Sequence, residues 1–188
     1  MLVGSRVRLR AVEPFDYPLL HTWLNDAHVM KYWGRPGNTQ SLAEVRADEE
    51  RQAARTNSRK YMIERLDGGD PIGQIDYYDL DLVSRSAWTS IMIGDPAYWG
   101  GGYGTESMRV LLRYLFRQLG LHRVTLTAHA SNERAQRSYL KNGFVVEGTL
   151  RDWMYFDGAY SDGVIMSALE DDFRRLDVDP TESTPDGS

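Results

Sequence analysis

A glycine-rich loop near the middle of the chain restricts the possible folds more than any other segment. Residues 99–106 spell WGGGYGTE, after a strand-like run at 87–94 and before an apolar helical pattern at 108–119. Glycine lets the backbone take positive φ and approach a ligand closely, and the first turn of the next helix offers N–H groups at the positive end of its dipole. The segment therefore predicts an anion cradle, most simply for a pyrophosphate.

This loop matches neither of the two common nucleotide-binding fingerprints. A Walker loop ends in Gly-Lys-Ser/Thr, but no lysine occurs between Lys60 and Lys141. A dinucleotide fingerprint is spaced G-x-G-x-x-G and opens a βαβ unit, whereas these glycines are spaced G-x-G-x-G in mid-chain. A glycine turn that binds nothing is the simple alternative.

A second segment, residues 123–144, carries further structural signals that follow the glycine loop and its helix in the chain. Alternation over 123–129 predicts a strand, and Ser131 or Asn132 can cap a helix over 133–141. Gly143 then fits the left-handed position that ends a helix, with Phe144 folding back towards Tyr139. Together the two segments form a recognisable series: a glycine loop, a helix, a strand, a capped helix and a Gly-Phe helix end.

With these two segments in register, the chain resembles the GNAT superfamily of acyl-CoA-dependent N-acetyltransferases. Gly102 and Gly104 match the two glycines of the family's loop. Trp99 replaces the usual glutamine or arginine, as in the branch that acetylates ribosomal-protein N-termini. Residues 23–26 (WLND) and 157–162 (DGAYSD) also match that branch. The resemblance spans roughly residues 5–170.

The resemblance implies a mixed α/β (α+β) fold. We expect a central mixed sheet of about seven strands, splayed between the fourth and fifth, and flanked by about four helices. Asp16 is predicted to cap the first helix, and a capping box at Ser41 to begin the second. Strands are predicted at about 151–156 and 160–169 after Phe144.

Composition is consistent with one globular domain and restricts its chemistry. The 188 residues predict a single domain over 1–176 and an acidic, disordered tail over 177–188, which carries four of the carboxylates behind the net charge of −5. The chain has no cysteine, which excludes disulfides, cysteine metal sites and thiol nucleophiles. No metal is expected.

The N-terminus lacks an apolar signal segment and no run reaches membrane-spanning length, so we expect a cytoplasmic protein without a membrane partner. No basic stripe suggests nucleic acid, and either a monomer or a homodimer is consistent with the sequence.

The resemblance also implies where the cosubstrate, acetyl-CoA, binds. Backbone N–H groups of the strand before the loop would bind the thioester carbonyl, and the splayed strand would pair with the pantetheine arm like a substitute strand. The N–H groups of the loop would hold the pyrophosphate. Asn132 would contact the CoA arm, or serve as a plain helix cap, or both. The implied cofactor-binding residues are Ile91, Met92, Ile93, Gly100, Gly101, Gly102, Tyr103, Gly104, Thr105 and Asn132.

Tyr139 matches the family's usual general acid, which protonates the departing thiolate. The alternative is that Tyr139 is only a packing partner of Phe144, and Ser138 is a weaker proton source. The general base remains open between a water chain and one of five side chains: Asp76, Asp79, Glu106, His129 and Asp152.

The resemblance implies direct transfer of an acetyl group from acetyl-CoA to a primary amine, either a peptide N-terminal α-amine or a small amine. One alternative is an aminoglycoside 6′-N-acetyltransferase, suggested by residues 23–29 and 32–34, with Asp76, Asp79 and Asp81 as carboxylates for a polycation. Polyamines are a further alternative for the same electrostatic reason. Hypotheses from other classes are a non-catalytic acyl-CoA sensor, which the presence of Tyr139 disfavours, and a nucleotide-binding regulatory module, which the missing Walker lysine disfavours.

Overall fold

One mixed sheet organises the computed structural model, which describes residues 1–33, 37, 39–156 and 158–176. The predicted tail at 177–188 lies outside the described residues. Within them the sheet has eight strands: β1 (Leu2–Val3), β2 (Val7–Ala11), β3 (Arg59–Arg65), β4 (Pro71–Asp81), β5 (Ser86–Ile93), β6 (Arg123–His129), β7 (Val145–Phe156) and β8 (Ala159–Leu169). Their spatial order is β1-β2-β3-β4-β5-β6-β8-β7.

Helices cover both faces of the sheet. Six α-helices occur in the described part of the chain: α1 (Tyr17–Leu24), α2 (Ala27–Met30), α3 (Leu42–Ala53), α4 (Tyr103–Arg113), α5 (Glu133–Leu140) and α6 (Glu170–Leu176). On one face Leu111 of α4 and Phe144 belong to the larger buried core. On the other face Trp23 of α1 and Val45 of α3 pack with Met92 of β5 in a smaller core.

The sheet is splayed between β5 and β6. All other neighbouring strands pair antiparallel, but β5 and β6 are parallel and pair only from Ser86 opposite Arg123 to Trp88 opposite Thr125. Beyond these residues the two strands diverge. This confirms the splay expected between the fourth and fifth predicted strands, because the predicted set lacks the short edge strand β1.

The local signals that frame the splay form as predicted. The Asn132 side chain accepts the Ala135 N–H at 3.2 Å and begins α5. Gly143 has φ of 85°, and the Phe144 N–H donates to the Tyr139 carbonyl at 3.2 Å. The capping box at Ser41 begins α3. The first two of these ends fix where α5, which borders the splay, begins and ends.

Three elements differ from the sequence-based expectation. β7 begins at Val145 rather than near 151, because a register shift between Val146 and Gly148 breaks the alternation on which strand prediction depends. The helical pattern after the glycine loop continues past α4 as a π-helical turn, Tyr114–Gln118. Asp16 does not cap α1 with its side chain, because its carboxylate accepts two hydrogen bonds from Arg10 and one from the Glu13 N–H.

None of the helices in the described ranges is long and apolar enough to cross a membrane.

Candidate active site

An open cleft of about 1260 Å³ lies where β5 and β6 diverge. Its walls are the ends of these two strands, the glycine loop, α5, residues 28–33 and the outer part of β7. The cleft therefore has a side formed by the glycine loop and α5 and a side formed by residues 28–33 and β7. Among the described residues, no cluster of His, Asp and Glu side chains could hold a metal ion.

The glycine loop presents backbone to the cleft. Gly100 has φ of 78°, and Gly102, with φ of 82°, is the N-cap of α4 without a side-chain cap. These two glycines line the cleft together with Gly104 and Thr105. An uncapped N-terminus with glycines on its approach leaves N–H groups for an anion.

Gly101 and Tyr103, two of the residues implied to bind CoA, are not among the residues lining the cleft. The Gly101 carbonyl accepts a hydrogen bond from Arg6 at 3.1 Å, and the Arg6 guanidinium lies over the Tyr103 ring at 4.9 Å. These two residues hold the outer side of the loop against the N-terminal strand.

Glu106 belongs to the same support. Its carboxylate accepts from the Arg6 N–H at 2.7 Å, from the Arg6 Nε at 3.0 Å and from the Ser5 hydroxyl at 2.9 Å. Burial tends to raise the pKa of Glu106, but these hydrogen bonds outweigh it, so the pKa is lowered. Glu106 is thus tied up away from the cleft and is a poor general base. Nothing in the local sequence around Arg6 signals this contact across 100 residues.

Trp99 joins the loop to β5. Its indole Nε1 donates to the Ile93 carbonyl at 2.8 Å, and the Arg134 guanidinium of α5 lies over its ring at 4.3 Å. Ile91, Met92 and Ile93 line the cleft. The residue that replaces the family's glutamine or arginine therefore braces the loop between β5 and α5.

Asn132, the N-cap of α5, and Tyr139 of α5 both line the cleft. The Tyr139 side chain is 8% exposed and its ring packs on Phe144 with 5.8 Å between centroids. Burial raises the pKa of Tyr139 to about 12, so the phenol keeps its proton at neutral pH. Tyr139 therefore packs on Phe144 and also reaches the cleft.

Two side chains tie α5 to the start of α4. The Ser138 hydroxyl bonds the Thr105 hydroxyl at 2.8 Å. The fully buried Asn142 amide donates to the carbonyls of Thr105 and Ser138, each at 3.0 Å. Tyr139 is therefore held at a fixed position relative to the glycine loop. No local sequence signal points to this role of Asn142, since its partner in α4 is distant in sequence.

Of the five candidate bases, His129 lines the cleft and Asp76 lies behind a residue that lines it. His129 is packed edge-on against Tyr32 and Trp153, each at 5.6 Å between ring centroids. Burial lowers the pKa of His129, so its imidazole is neutral at neutral pH. Asp76 is buried directly behind Ser90, which lines the cleft.

Asp79, Asp81 and Asp152 do not line the cleft. Asp79 and Asp152 are exposed at irregular points of their strands, both with φ of 50°. The Asp81 carboxylate accepts the N–H groups of the following turn. The carboxylates anticipated for an aminoglycoside are therefore not gathered at one site.

Charge is unevenly distributed around the cleft. Four lysine and arginine side chains line it: Arg134, Arg137 and Lys141 lie on or at the end of α5, and Lys31 lies on the opposite side. Within the described lining residues the acidic one is Glu133, paired with Arg137 at 3.1 Å. The side near the glycine loop therefore suits a ligand that carries phosphate groups.

Comparisons with known proteins agree with this geometry. The spermidine N(1)-acetyltransferase of Escherichia coli strain K12 is 28% identical over 164 residues, covering 87% of this chain and 86% of that protein. The enzyme of the same description from Vibrio cholerae is 27% identical over 168 residues, covering 89% and 95%. The solved structure of spermidine N-acetyltransferase from Vibrio cholerae in complex with CoA and spermine superposes with a TM-score of 0.82 at 27% identity, covering 90% of this chain and 99% of that one. The acetyltransferase (GNAT) domain model matches residues 6–145. The chain belongs to the acetyltransferase (GNAT) domain family.

Proposed function

We propose that the protein transfers an acetyl group directly from acetyl-CoA to a primary amine of a small molecule, with polyamines as the first substrate class to test. Family membership makes the chain an acetyl-CoA-dependent N-acetyltransferase, so the proposal concerns the acceptor and the residue roles. The observation that carries the acceptor class is the aromatic lining of the cleft opposite the glycine loop, while the uncapped glycine-rich helix N-terminus at the splay serves the donor.

The donor half of the cleft has the groups that CoA requires. The N–H groups of Gly100, Gly102, Gly104 and Thr105 would hold the pyrophosphate, with the cations of α5 nearby. The β6-facing edge of β5 at 91–93 would pair with the pantetheine arm and donate to the thioester carbonyl. Asn132 would contact the arm while also capping α5.

Tyr139 is the proposed general acid. When the amine attacks and the C–S bond breaks, the thiolate needs a proton, and the buried phenol of Tyr139 retains one at neutral pH. The ties from Asn142 to Thr105 and Ser138 fix its place beside the donor site.

The acceptor half is lined with aromatic side chains: Tyr32, Trp33, Tyr78 and Trp153. Aromatic faces attract ammonium groups, and the Lys31 ammonium already lies over the Tyr32 ring at 5.1 Å, so the rings of Trp33, Tyr78 and Trp153 are the ones that suit a cationic amine. The two relatives described above are named as spermidine N(1)-acetyltransferases. They support a polyamine acceptor better than the peptide N-terminal α-amine expected for the ribosomal-protein branch.

The test measures CoA thiol release from acetyl-CoA with each of three acceptor classes, namely spermidine, a short peptide with a free N-terminus and an aminoglycoside. Mass spectrometry identifies the acetylated product. We expect the highest kcat/KM with spermidine. A preference for the peptide would replace the polyamine proposal with the N-terminal one, and release that no amine increases would contradict both.

A further inference from the structure

We infer that Ser90 and Asp76 form a proton-accepting pair for the incoming amine. This inference rests on the proposed function, acetyl transfer to a primary amine. An ammonium group must lose protons to become an amide, and the proposed acid, Tyr139, cannot take them while it still carries its own. A separate acceptor of protons is therefore needed on the side from which the amine arrives.

The geometry of the pair is direct. Asp76 of β4 lies opposite Ser90 of β5 in the antiparallel ladder. The Ser90 hydroxyl and the Ser90 N–H both donate to the Asp76 Oδ1, the N–H at 3.1 Å. Ser90 is half-buried and lines the cleft, whereas Asp76 is 9% exposed. A proton leaving the cleft at Ser90 has a carboxylate immediately behind it.

Asp76 is held in place by the neighbouring strands. Lys60 of β3 lies opposite Asp76 on its other side, and Lys60 is itself paired with Glu49 of α3 at 2.6 Å. The Asp76 carbonyl accepts the Thr89 hydroxyl at 2.6 Å. Burial raises the pKa of Asp76, while the Ser90 hydrogen bonds and the charge of Lys60 act in the opposite direction. A raised pKa makes this carboxylate a better proton acceptor than an exposed one.

The pair and Tyr139 lie on opposite faces of the sheet. Ser90 points to the same side of β5 as Met92, which packs with Trp23 in the core under α1 and α3. Tyr139 belongs to the core under α4. The amine nitrogen would thus lose its remaining excess proton on one face, while the thiolate gains its proton on the other.

The proton and electron balance closes. The ammonium first loses one proton to solvent, and the neutral amine nitrogen then forms the C–N bond with the thioester carbon. As the C–S bond breaks, its electron pair stays on sulfur, which takes the Tyr139 proton to give CoA thiol. The remaining excess proton on nitrogen passes to the Ser90 hydroxyl while the Ser90 proton moves to the Asp76 carboxylate. Water returns that proton to the Tyr139 phenolate, so the net products are the acetamide, CoA thiol and one proton.

His129 is the competing acceptor of protons. It lines the same cleft, but its ring is packed between Tyr32 and Trp153, and burial lowers its pKa. These contacts indicate that His129 forms part of the wall on the acceptor side of the cleft. The variant His129→Gln therefore serves as a competitor in the test.

The experiment measures kcat against pH for Ser90→Ala, Asp76→Asn and wild type with spermidine. General-base assistance contributes on the order of 10² or more, so we expect a loss of about 10²-fold in kcat for each variant with the KM for acetyl-CoA unchanged. Ser90→Thr keeps the hydroxyl and should restore most of the rate. Ser86→Ala, at the other end of β5, is the control and should match wild type.

A series of acceptor amines of different pKa separates a chemical role from a structural one. The defect of Ser90→Ala should shrink with acceptor amines of lower pKa, because a proton leaves them more easily; a purely structural defect would stay constant. Lys60 and Glu49, the charged neighbours of Asp76, are unchanged in these variants. If Asp76→Asn does not fold, the kcat of Ser90→Ala alone tests whether the pair accepts the proton.

Each outcome has a distinct meaning for the pair. If wild type is active and Ser90→Ala keeps the wild-type kcat at every pH, the proposed role of the pair is overturned. Loss of the rate in His129→Gln, with the rate kept in Ser90→Ala, overturns it as well and assigns the proton to the imidazole. A wild type that acetylates no amine overturns the proposed function and the pair with it.

Discussion

Tyr139 combines two properties at the scale of a single residue, and both come from its burial. The ring completes the helix end by packing on Phe144, and the same burial keeps the phenol protonated. The sequence pointed to this residue through a motif. It did not distinguish Ser90 from other strand serines, because the carboxylate behind it belongs to another strand. Arg6 was missed for the same reason, since its partners are distant in sequence.

The first residue-scale prediction concerns Tyr139→Phe. We expect kcat to fall about 10²-fold, because the thiolate then leaves without a positioned acid. The ring that packs on Phe144 is retained, so the thermal shift produced by CoA should not change. In wild type, loss of the Tyr139 proton should not reduce the rate until the pH approaches about 12. An unchanged kcat in the variant would remove Tyr139 from the mechanism.

The second residue-scale prediction concerns Glu106, whose pKa is lowered in the folded state. A carboxylate with a depressed folded pKa stabilises the protein above its unfolded pKa, about 4.3, and loses that contribution as the pH falls through the folded value. We therefore expect Glu106→Gln to be less stable than wild type at pH 7, with the difference shrinking below about pH 4. Urea unfolding at several pH values measures it. A difference that persists unchanged into acid would contradict this role.

At the scale of elements, the glycine loop and the splay determine where acetyl-CoA can bind. The loop, its helix and the capped α5 could be predicted from the sequence because caps and glycine positions are local signals. The splay came from the resemblance to a family, since no local pattern shows that parallel pairing stops at Trp88. The early start of β7 was missed because the irregularity near Gly148 hides the alternation.

A matched glycine pair tests the loop. Gly100 and Gly120 both have positive φ, and an added Cβ would meet nothing within 4 Å at either position, but only Gly100 lines the cleft. Each alanine variant should lose about 1–2 kcal/mol of stability from the left-handed backbone. Only Gly100→Ala should also raise the KM for acetyl-CoA. Equal KM values for the two variants would show that the loop does not hold the donor.

At the scale of the whole molecule, the cleft joins a phosphate-binding half to an aromatic half. The class of donor follows from the family, whereas the acceptor depends on side chains that the topology brings together from α2, β4, β6 and β7. This is why the sequence left several amines open. It also explains why acidic residues chosen from the sequence, such as Asp79 and Asp152, prove to lie elsewhere.

The donor half gives a prediction for the intact protein. A ligand at about 100 times its Kd stabilises the folded state by about 2.7 kcal/mol. We expect CoA and acetyl-CoA to raise the Tm by roughly 5–10 °C at such a concentration. ATP lacks the pantetheine arm that would pair with β5, so its effect should be much smaller. A shift with ATP and none with CoA would overturn the assignment of the cleft.

The most direct test of the central claim is the initial rate of thiol release as acetyl-CoA and spermidine are varied together. If both substrates occupy the cleft at once and the acetyl group passes directly between them, double-reciprocal plots should intersect. Parallel lines would indicate an acetylated enzyme and contradict direct transfer. Release that does not depend on spermidine would contradict the proposed acceptor class.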